Sequence, residues 1–476
     1  MAGRNVLILI SDEHLREGAG CYGGQVHTPN LDKLAAKGTR FTQAVTPSPI
    51  CVPARASIAT GRYVHDIGFW SNAQPYDGSV KGWGHRLIDE GHRVVSIGKL
   101  HYRSADDDNG FDEEIMPLHV KNGIGWVRGL LGRDGSAWNN AAHFAEEIGP
   151  GLCDYNRYDM RVGEETCRWL RDEAPKIGDK PWVLYASFVT PHYPLIVPQE
   201  FYDLYPLDRI DPPRLNAPDE RPKHPVLEAM HRFMNYDDFF DDHTRLVAKA
   251  SYLGLCSFLD DQIGKVLAAL EASGQADNTV ILYSSDHGEL AGNHGLWTKC
   301  VMYEEAAAIP MLATGPGIPE GQVCDDPVSL VDVHQTVLDA TGLGLSDDDH
   351  NLPGRSLIGI ANGERHGRTL LSEYHDGGSI TGMFMIRMGR WKYIAYPGYA
   401  PQLYDLESDP FEANDLGTSP EHQAIRAQCE AALRTVVDPD DANRRAFADQ
   451  AERIAALGGR EGILATEDFD QSPVPL

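Results

Sequence analysis

Asn5-Val6-Leu7-Ile8-Leu9-Ile10-Ser11-Asp12-Glu13 is a short apolar run that ends abruptly in two acids. Without alternation of polar and apolar residues, such a run reads as a strand buried on both faces, the kind found in parallel sheets covered by helices. Similar runs stand at Val6–Ile10, Arg93–Ile97, Trp182–Phe188, Val280–Ser284 and Ile309–Ala313. Helical patterns separate them at Thr28–Lys37, Asp159–Arg171, His243–Ala272 and Ser329–Thr341. This alternation predicts an α/β fold with a doubly wound, mostly parallel sheet over residues 1–370. Beyond residue 370 the character changes. Phe384–Met388 and Trp391–Tyr396 pair around Gly389-Arg390, Leu403–Leu406 adds a strand, and helical patterns follow at Glu421–Val436 and Asp441–Leu457. Residues 371–476 are therefore expected to form a smaller C-terminal α+β subdomain with a polar tail. The acidic triplets Asp106–Asp108 and Asp347–Asp349 are expected to be solvated turns.

The 476 residues are 42% hydrophobic, enough for a large core, which excludes a disordered or collagen-like chain. Lys and Arg number 42 against 70 Asp and Glu, a net charge of −28 that opposes nucleic acid and anionic membranes as partners. A small anionic substrate would need a local cluster of cations or a metal. No segment approaches the ~20 apolar residues of a membrane helix. The start of the chain has no small-residue cleavage site, so it reads as a strand, not a signal peptide. Eight scattered cysteines without a C-x-x-C pair point to a reducing, cytoplasmic setting without disulfides.

In open α/β sheets, chemistry gathers beyond the carboxyl ends of the strands. Four segments meet that description here: Asp12-Glu13, Gly98-Lys99-Leu100-His101, Thr190-Pro191-His192 and Asp286-His287. Asp12, Glu13, Asp286 and His287 together suit one divalent cation, because crowded carboxylates repel until a cation joins them. The imidazole is more at home on Mn²⁺ than on Ca²⁺, and both remain open. Cys51-Val52-Pro53-Ala54-Arg55 places a proline where a helix can begin, with Cys51 at its N-terminus. Such a cysteine is either a small buried residue or an anionic nucleophile favoured by the helix dipole. There is no Gly-x-Ser-x-Gly, His-Glu-x-x-His or Walker A motif, and Gly315-Pro316-Gly317 is a turn.

Cys51-x-Pro53-x-Arg55, followed by Ala56-Ser57 and Thr60-Gly61-Arg62, resembles the signature of the type I sulfatases of the alkaline phosphatase superfamily. The resemblance extends over nearly the whole chain, through His27–Gly38, Asp260–Gly264, Asn278–Ile281, Ser285–Gly288 and Leu403–Glu407 with Asp409-Pro410. It implies an alkaline phosphatase-like fold and a sulfuric ester hydrolase acting on small aryl or alkyl monosulfates. In that family the cysteine, here Cys51, is oxidised by a formylglycine-generating enzyme, and the hydrated aldehyde is the nucleophile. Residue by residue, Asp12, Glu13, Asp286, His287 and the modified Cys51 would hold the metal. Arg55 would hold the formylglycine, and Lys99 and Lys299 would neutralise sulfate oxygens. His192 or Lys299 would protonate the leaving alkoxide, and His101 would remove a proton from the second hydroxyl so that sulfate is expelled. Asn72 is either a substrate contact or a loop residue.

Glu13 stands where many sulfatases have Asp, and His287 where many have Asn. Aspartate followed by histidine is closer to the phosphonate monoester hydrolase and choline sulfatase branch, so a phosphonate monoester or phosphodiester hydrolase is the alternative. A catalytically silent metal-binding homologue, with Cys51 left as a thiol, is the third reading. Trp70, Tyr102, Tyr193 and Trp297 either wall an aryl site or pack ordinarily. Glu373-Tyr374-His375 lies where it could line the entrance, and an aromatic cage with a carboxylate would suit a quaternary ammonium group. A homo-oligomer is expected, with the Phe469–Leu476 tail either docked on a neighbouring subunit or disordered.

Overall fold

The apolar run at the start of the chain can be satisfied only by burial, and every residue of Asn5–Asp12 is buried. The computed structural model describes residues 3–134, 140–466 and 472–475. Its main sheet comprises β1 (Asn5–Asp12), β2 (Gly38–Phe41), β3 (Arg93–Lys99), β4 (Glu113–Leu118), β5 (Trp182–Pro191), β6 (Thr279–Ser285), β7 (Met311–Thr314) and β8 (Gln322–Cys324). Their spatial order is β8-β2-β7-β6-β1-β5-β3-β4. β1 lies between β5 and β6, parallel to both, and β3 is parallel to β5 and β4. The carboxyl ends of β3, β5, β1 and β6 therefore line up side by side, roughly 4.8 Å apart from strand to strand. β7 is antiparallel to β6 and β2. No long helix crosses back between β6 and β7, so the chain re-enters the sheet from the edge at which it left.

Alternate residues of β1 feed two different layers. Val6, Ile8 and Ile10 pack with Ala56 and Ile58 of α1 (Cys51–Thr60) and with Val333 and Val337 of α4 (Asp332–Thr341). Leu7 and Leu9 pack with Val162 and Trp169 of α2 (Asp154–Asp172) and with Leu259, Ile263 and Val266 of α3 (Asp242–Ala272). Helices thus cover both faces of a largely parallel sheet, as the alternating pattern predicts. Each fully buried Leu or Ile contributes about 1.5–3 kcal/mol of transfer free energy to this three-layer core.

The C-terminal sheet is antiparallel, in the order β9 (Leu370–Tyr374), β10 (Met383–Met388), β11 (Trp391–Ala395), β12 (Gln402–Asp405). One face packs under α5 (Gln423–Val436) through Phe384, Ile386, Leu403, Cys429 and Leu433. The other turns Leu370, Met383, Met385 and Tyr404 toward Tyr303 and Ala306 of the main domain. A buried charge network pins this junction. Lys392 Nζ lies 2.8 Å from Glu412 and 3.3 Å from Glu304, and Arg387 reaches Glu304 at 2.8 Å. The last long helix, α6 (Pro439–Ala456), returns to pack Ala446 against Val64 and Trp70.

The triplet Asp347–Asp349 is a correction to the solvated-turn expectation. It opens a short helix in which Asp349 is buried, accepting from Ser346 and paired with His334 Nε2 at 3.0 Å and with Arg86. A helix N-terminus offers backbone donors, and that favours a carboxylate even out of water. Among the described residues, no helix is long and apolar enough to cross a membrane.

Candidate active site

Four neighbouring strand ends deliver the polar residues to one edge, and α1 points its N-terminus at them. Cys51 is the first residue of α1, a helix with every side chain buried. Arg55, one turn on, falls on the same face. The helix has no cap from its own preceding residue. Instead Asn72 Oδ1 accepts the Val52 N–H at 3.0 Å, and Asn72 is itself fixed by its N–H to Asp376 at 2.6 Å. Asn72 thus caps the helix that Cys51 opens while also lining the pocket.

Asp12, Cys51, Asp286 and His287 bring one donor atom each to within 4.8 Å of one another, all four buried. Cys51 Sγ lies 3.2 Å from His287 Nε2 and 3.6 Å from Asp12 Oδ1. His287 Nδ1 faces the Gly288 carbonyl at 3.0 Å, which fixes its proton there and leaves the Nε2 lone pair aimed at the cluster. Burial and the charge of Asp12 raise the Asp286 carboxyl above the ordinary range. Burial would raise Asp12 too, but Lys99, His192 and Arg55 hold it well below. Two carboxylates, one at the expense of the other, together with an imidazole lone pair, form a donor set that fits a divalent cation.

Arg55 lies among acceptors from four segments of the chain. Its guanidinium donates to Asp12 Oδ2 at 2.9 Å, Asp286 Oδ2 at 2.8 Å, the Lys99 carbonyl at 2.8 Å and Ser187 Oγ at 2.9 Å. Fully buried, it is the counter-charge that lets two acids sit beneath the helix. Lys99 Nζ lies 2.7 Å from Asp12, and Lys299 Nζ donates to Glu13 Oε2 at 2.9 Å. Glu13, at a left-handed φ of 66°, faces Lys299 and His192 Nε2, the latter at 3.3 Å, and with Asp12 and His192 it forms a second group of possible donors. His192 Nδ1 faces the Tyr193 carbonyl at 2.6 Å. Acceptors at both nitrogens suit an imidazolium, whereas burial and the Lys299 charge press the pKa down to about 3. Burial and Lys99 likewise push His101 well below the usual histidine range.

These groups surround a cavity of ≈170 Å³. Cys51, Lys99, His101, His192 and Lys299 stand on its wall with Ile50, Val120, Trp126, Phe144, Phe233 and Tyr236. Of the four aromatics considered from sequence, Tyr193 is on the wall, while Trp70, Tyr102 and Trp297 are buried in packing. Glu373 and His375 do not reach the pocket. They are buried and bonded to each other, and Glu373 also holds His65. Sequence reasoning missed Glu289, whose Oε1 accepts the Ala291 and Thr298 N–H groups, each at 2.7 Å. That carboxyl clasps the loop which ends in Lys299. A glutamate two residues after His287 was the available signal. The wall residues Trp126, Phe144, Phe233 and Tyr236 do not follow the carboxyl end of a main-sheet strand directly and carry no signal.

The tail is described only at residues 472–475, and these lie against their own chain. Ser472 Oγ is 2.8 Å from His101 Nε2, and Ser472 lines the same cavity. Residues 469–471 and 476 of the expected docking segment lie outside the described residues.

Known proteins resemble this chain in sequence and fold. Residues 4–343 match the sulfatase family, and residues 292–438 match the N-sulphoglucosamine sulphohydrolase C-terminal family. The chain is 30% identical over 405 residues to a choline-sulfatase of Rhizobium meliloti (strain 1021), covering 83% of this chain and 78% of that protein. It is also 30% identical over 467 residues to arylsulfatase K of Canis lupus familiaris, covering 91% and 82%. Among solved structures, the phosphonate monoester hydrolase of Agrobacterium radiobacter superposes with a TM-score of 0.74 at 23% identity, covering 91% of this chain and 95% of that one.

Proposed function

The chain belongs to the sulfatase family, whose chemistry is hydrolysis of sulfate esters, and on that premise we propose that its substrates are small aryl or alkyl sulfate monoesters. The observation that carries the reading is the meeting of the four-donor cluster with Lys99 and Lys299 at one end of an otherwise apolar and aromatic pocket. The sulfate belongs at the charged end and the leaving group among Trp126, Phe144, Phe233 and Tyr236.

Members of the family use a divalent metal and a formylglycine made from cysteine. Cys51 suits that origin better than service as a thiolate, because burial and the Asp12 charge push its thiol up to about 12. Matured, position 51 would supply a hydrated aldehyde, one hydroxyl for attack on sulfur and a second whose deprotonation expels sulfate. Asp12, Asp286 and His287, with an oxygen at position 51, would hold the cation, Mn²⁺ before Ca²⁺ because of the imidazole. Its charge would polarise the sulfate. The pairing of Glu13 with Lys299 and His192 supports leaving it out of that ligand set.

The remaining work falls to this chain's own side chains. Lys99 and Lys299 offset charge on the sulfate oxygens, which matters because transfer of such groups runs through a loose, in-line transition state governed by positioning and charge. His192, anchored at Nδ1 by the Tyr193 carbonyl, delivers a proton from Nε2 to the departing alkoxide. Burial first and the Lys299 charge second keep this imidazole neutral, and the arriving anion counters the second of these. His101 removes the proton that lets sulfate leave. A formylglycine-generating enzyme is the partner required for maturation, and eight free cysteines support a reducing compartment such as the cytoplasm. A homo-oligomer remains our expectation for the assembly.

The phosphonate monoester reading shares the same nucleophile and charge, and Asp286-His287 favours keeping it as the second reading. Rates on 4-nitrophenyl sulfate and on a phenyl phosphonate monoester, with matured enzyme loaded separately with Mn²⁺ and Ca²⁺, separate the two. The sulfate is expected to give the larger kcat/KM. A larger value for the phosphonate reassigns the substrate, and no turnover of either refutes both.

A further inference from the structure

The matched families end at residue 438, yet the wall of the catalytic pocket includes residue 472. The segment that carries it has a seat built for it by one helix. Tyr155 Oη, from α2, donates to the Ser472 carbonyl at 3.0 Å, and Arg161 of the same helix donates to the Pro475 carbonyl at 3.3 Å. Val474 packs on the core cluster that contains Tyr155 and Tyr158. Ser472 is 6% exposed, as deeply set as a residue of the main domain.

At the inner end of this seat stands His101. Its backbone is fixed by donation of its N–H to the Leu118 carbonyl at 2.8 Å, in a left-handed conformation with φ 58°. Its ring has one hydrogen-bond partner among the described residues, the Ser472 hydroxyl at 2.8 Å from Nε2. Nδ1 is buried and has none. A buried imidazole held at one nitrogen has its orientation and tautomer set by that one contact.

We propose that residues 472–475 are a working part of the active site and that Ser472 is a positioning residue for His101, accepting the Nε2 proton so that Nδ1 keeps its lone pair for the proton transfer that releases sulfate. The proposal rests on the reading of His101 given above. His101 acts in the second half of turnover, so Ser472 affects sulfate release and leaves alcohol release alone. A tail that merely filled a gap would affect both halves or neither.

The test is single-turnover kinetics on matured, metal-loaded full-length protein, with 4-nitrophenyl sulfate. Nitrophenol release is followed by stopped flow and sulfate release by rapid quench, in wild type, Ser472→Ala, Ser472→Thr and His101→Ala. Loss of one neutral hydrogen bond should slow sulfate release about three- to tenfold in Ser472→Ala, with nitrophenol release unchanged within about twofold. Ser472→Thr keeps the hydroxyl and should restore the wild-type rate. His101→Ala should show the same split, more strongly. Wild-type sulfate release in Ser472→Ala, beside a slowed His101→Ala, overturns the role of Ser472 and leaves that of His101 standing. Equal slowing of both halves in Ser472→Ala also overturns it, by showing a loosened pocket. If His101→Ala slows nitrophenol release instead, His101 does not serve the second half and both readings fall.

Discussion

Replacing Arg55 by methionine should cost stability in a manner that depends on both pH and metal. The guanidinium contacts Asp12 at 2.9 Å and Asp286 at 2.8 Å, with all three side chains fully buried. Asp12 keeps Lys99 at 2.7 Å, so the group left unpaired is Asp286. Removing one partner of a buried ion pair costs about 3–5 kcal/mol. Asp286 still accepts the backbone N–H groups of Glu13 at 3.2 Å and His287 at 2.9 Å, which argues for the lower end, about 3 kcal/mol. The sign with pH follows from the raised Asp286 pKa. A carboxyl raised in the folded state stabilises folding most when protonated, and that contribution is lost as pH rises through the folded pKa. Without Arg55 the rise is larger, so the deficit of the variant should be greatest near pH ~8 and shrink toward pH ~5. A bound divalent cation supplies the missing charge and should narrow the gap as well. Urea denaturation of metal-free and Mn²⁺-loaded protein, followed by circular dichroism at both pH values, measures all of this. A metal-free deficit below about 1 kcal/mol near pH ~8, or one indifferent to both pH and metal, refutes the assignment of Arg55 as counter-charge.

Lys392→Met should destabilise the protein by about 3–5 kcal/mol in the same urea assay, because it leaves Glu304 and Glu412 facing each other out of water at the junction of the two sheets. His192→Ala should slow an alkyl sulfate by about 10²–10³ in kcat/KM but 4-nitrophenyl sulfate by less than about tenfold, since a good leaving group needs little protonation; equal losses on the two would remove His192 as the acid. Chelation of divalent metal should lower the unfolding free energy by about 2.7 kcal/mol relative to protein held at a hundredfold excess over its Kd, with recovery on adding Mn²⁺. An unchanged urea midpoint would speak against the four-donor cluster as a metal site.

Strand ends were the most legible part of the sequence because two rules act together on them. Burial on both faces forces an unbroken apolar run, and its end is the first place a polar side chain can stand. Asp12, Lys99, His192 and Asp286 were therefore readable as a set, long before their contacts were known. What a side chain does with its donors was not readable. Arg55 falls one turn from Cys51, as a helix requires, but nothing in Cys51–Arg55 reveals that its guanidinium meets acceptors from β1, β3, β5 and the end of β6. The aromatic wall was hidden for a different reason. Phe144, Phe233 and Tyr236 come from the long connections between strands, where a helical pattern such as Val226–Met230–Phe233 marks a buried face and does not say whether that face meets a core or a cavity. Asp349 misled because a run of acids normally signals water, and only the helix N-terminus with Arg86 and His334 around it makes burial tolerable.

Cys51 is 1% exposed, at the head of a buried helix, and lines the cavity. No second protein can take hold of that residue once the chain has collapsed around it. On the proposed reading, oxidation at position 51 would therefore compete with folding on the nascent or unfolded chain, and the fraction converted would be settled at synthesis. On the same reading, protein already folded with a thiol at this position would not be rescued by adding the maturing enzyme afterwards. The yield of active molecules then becomes a race between two rates, the approach of a modifying enzyme and the closing of the sheet over its target. A slower-folding variant could emerge more active per molecule with an unchanged pocket.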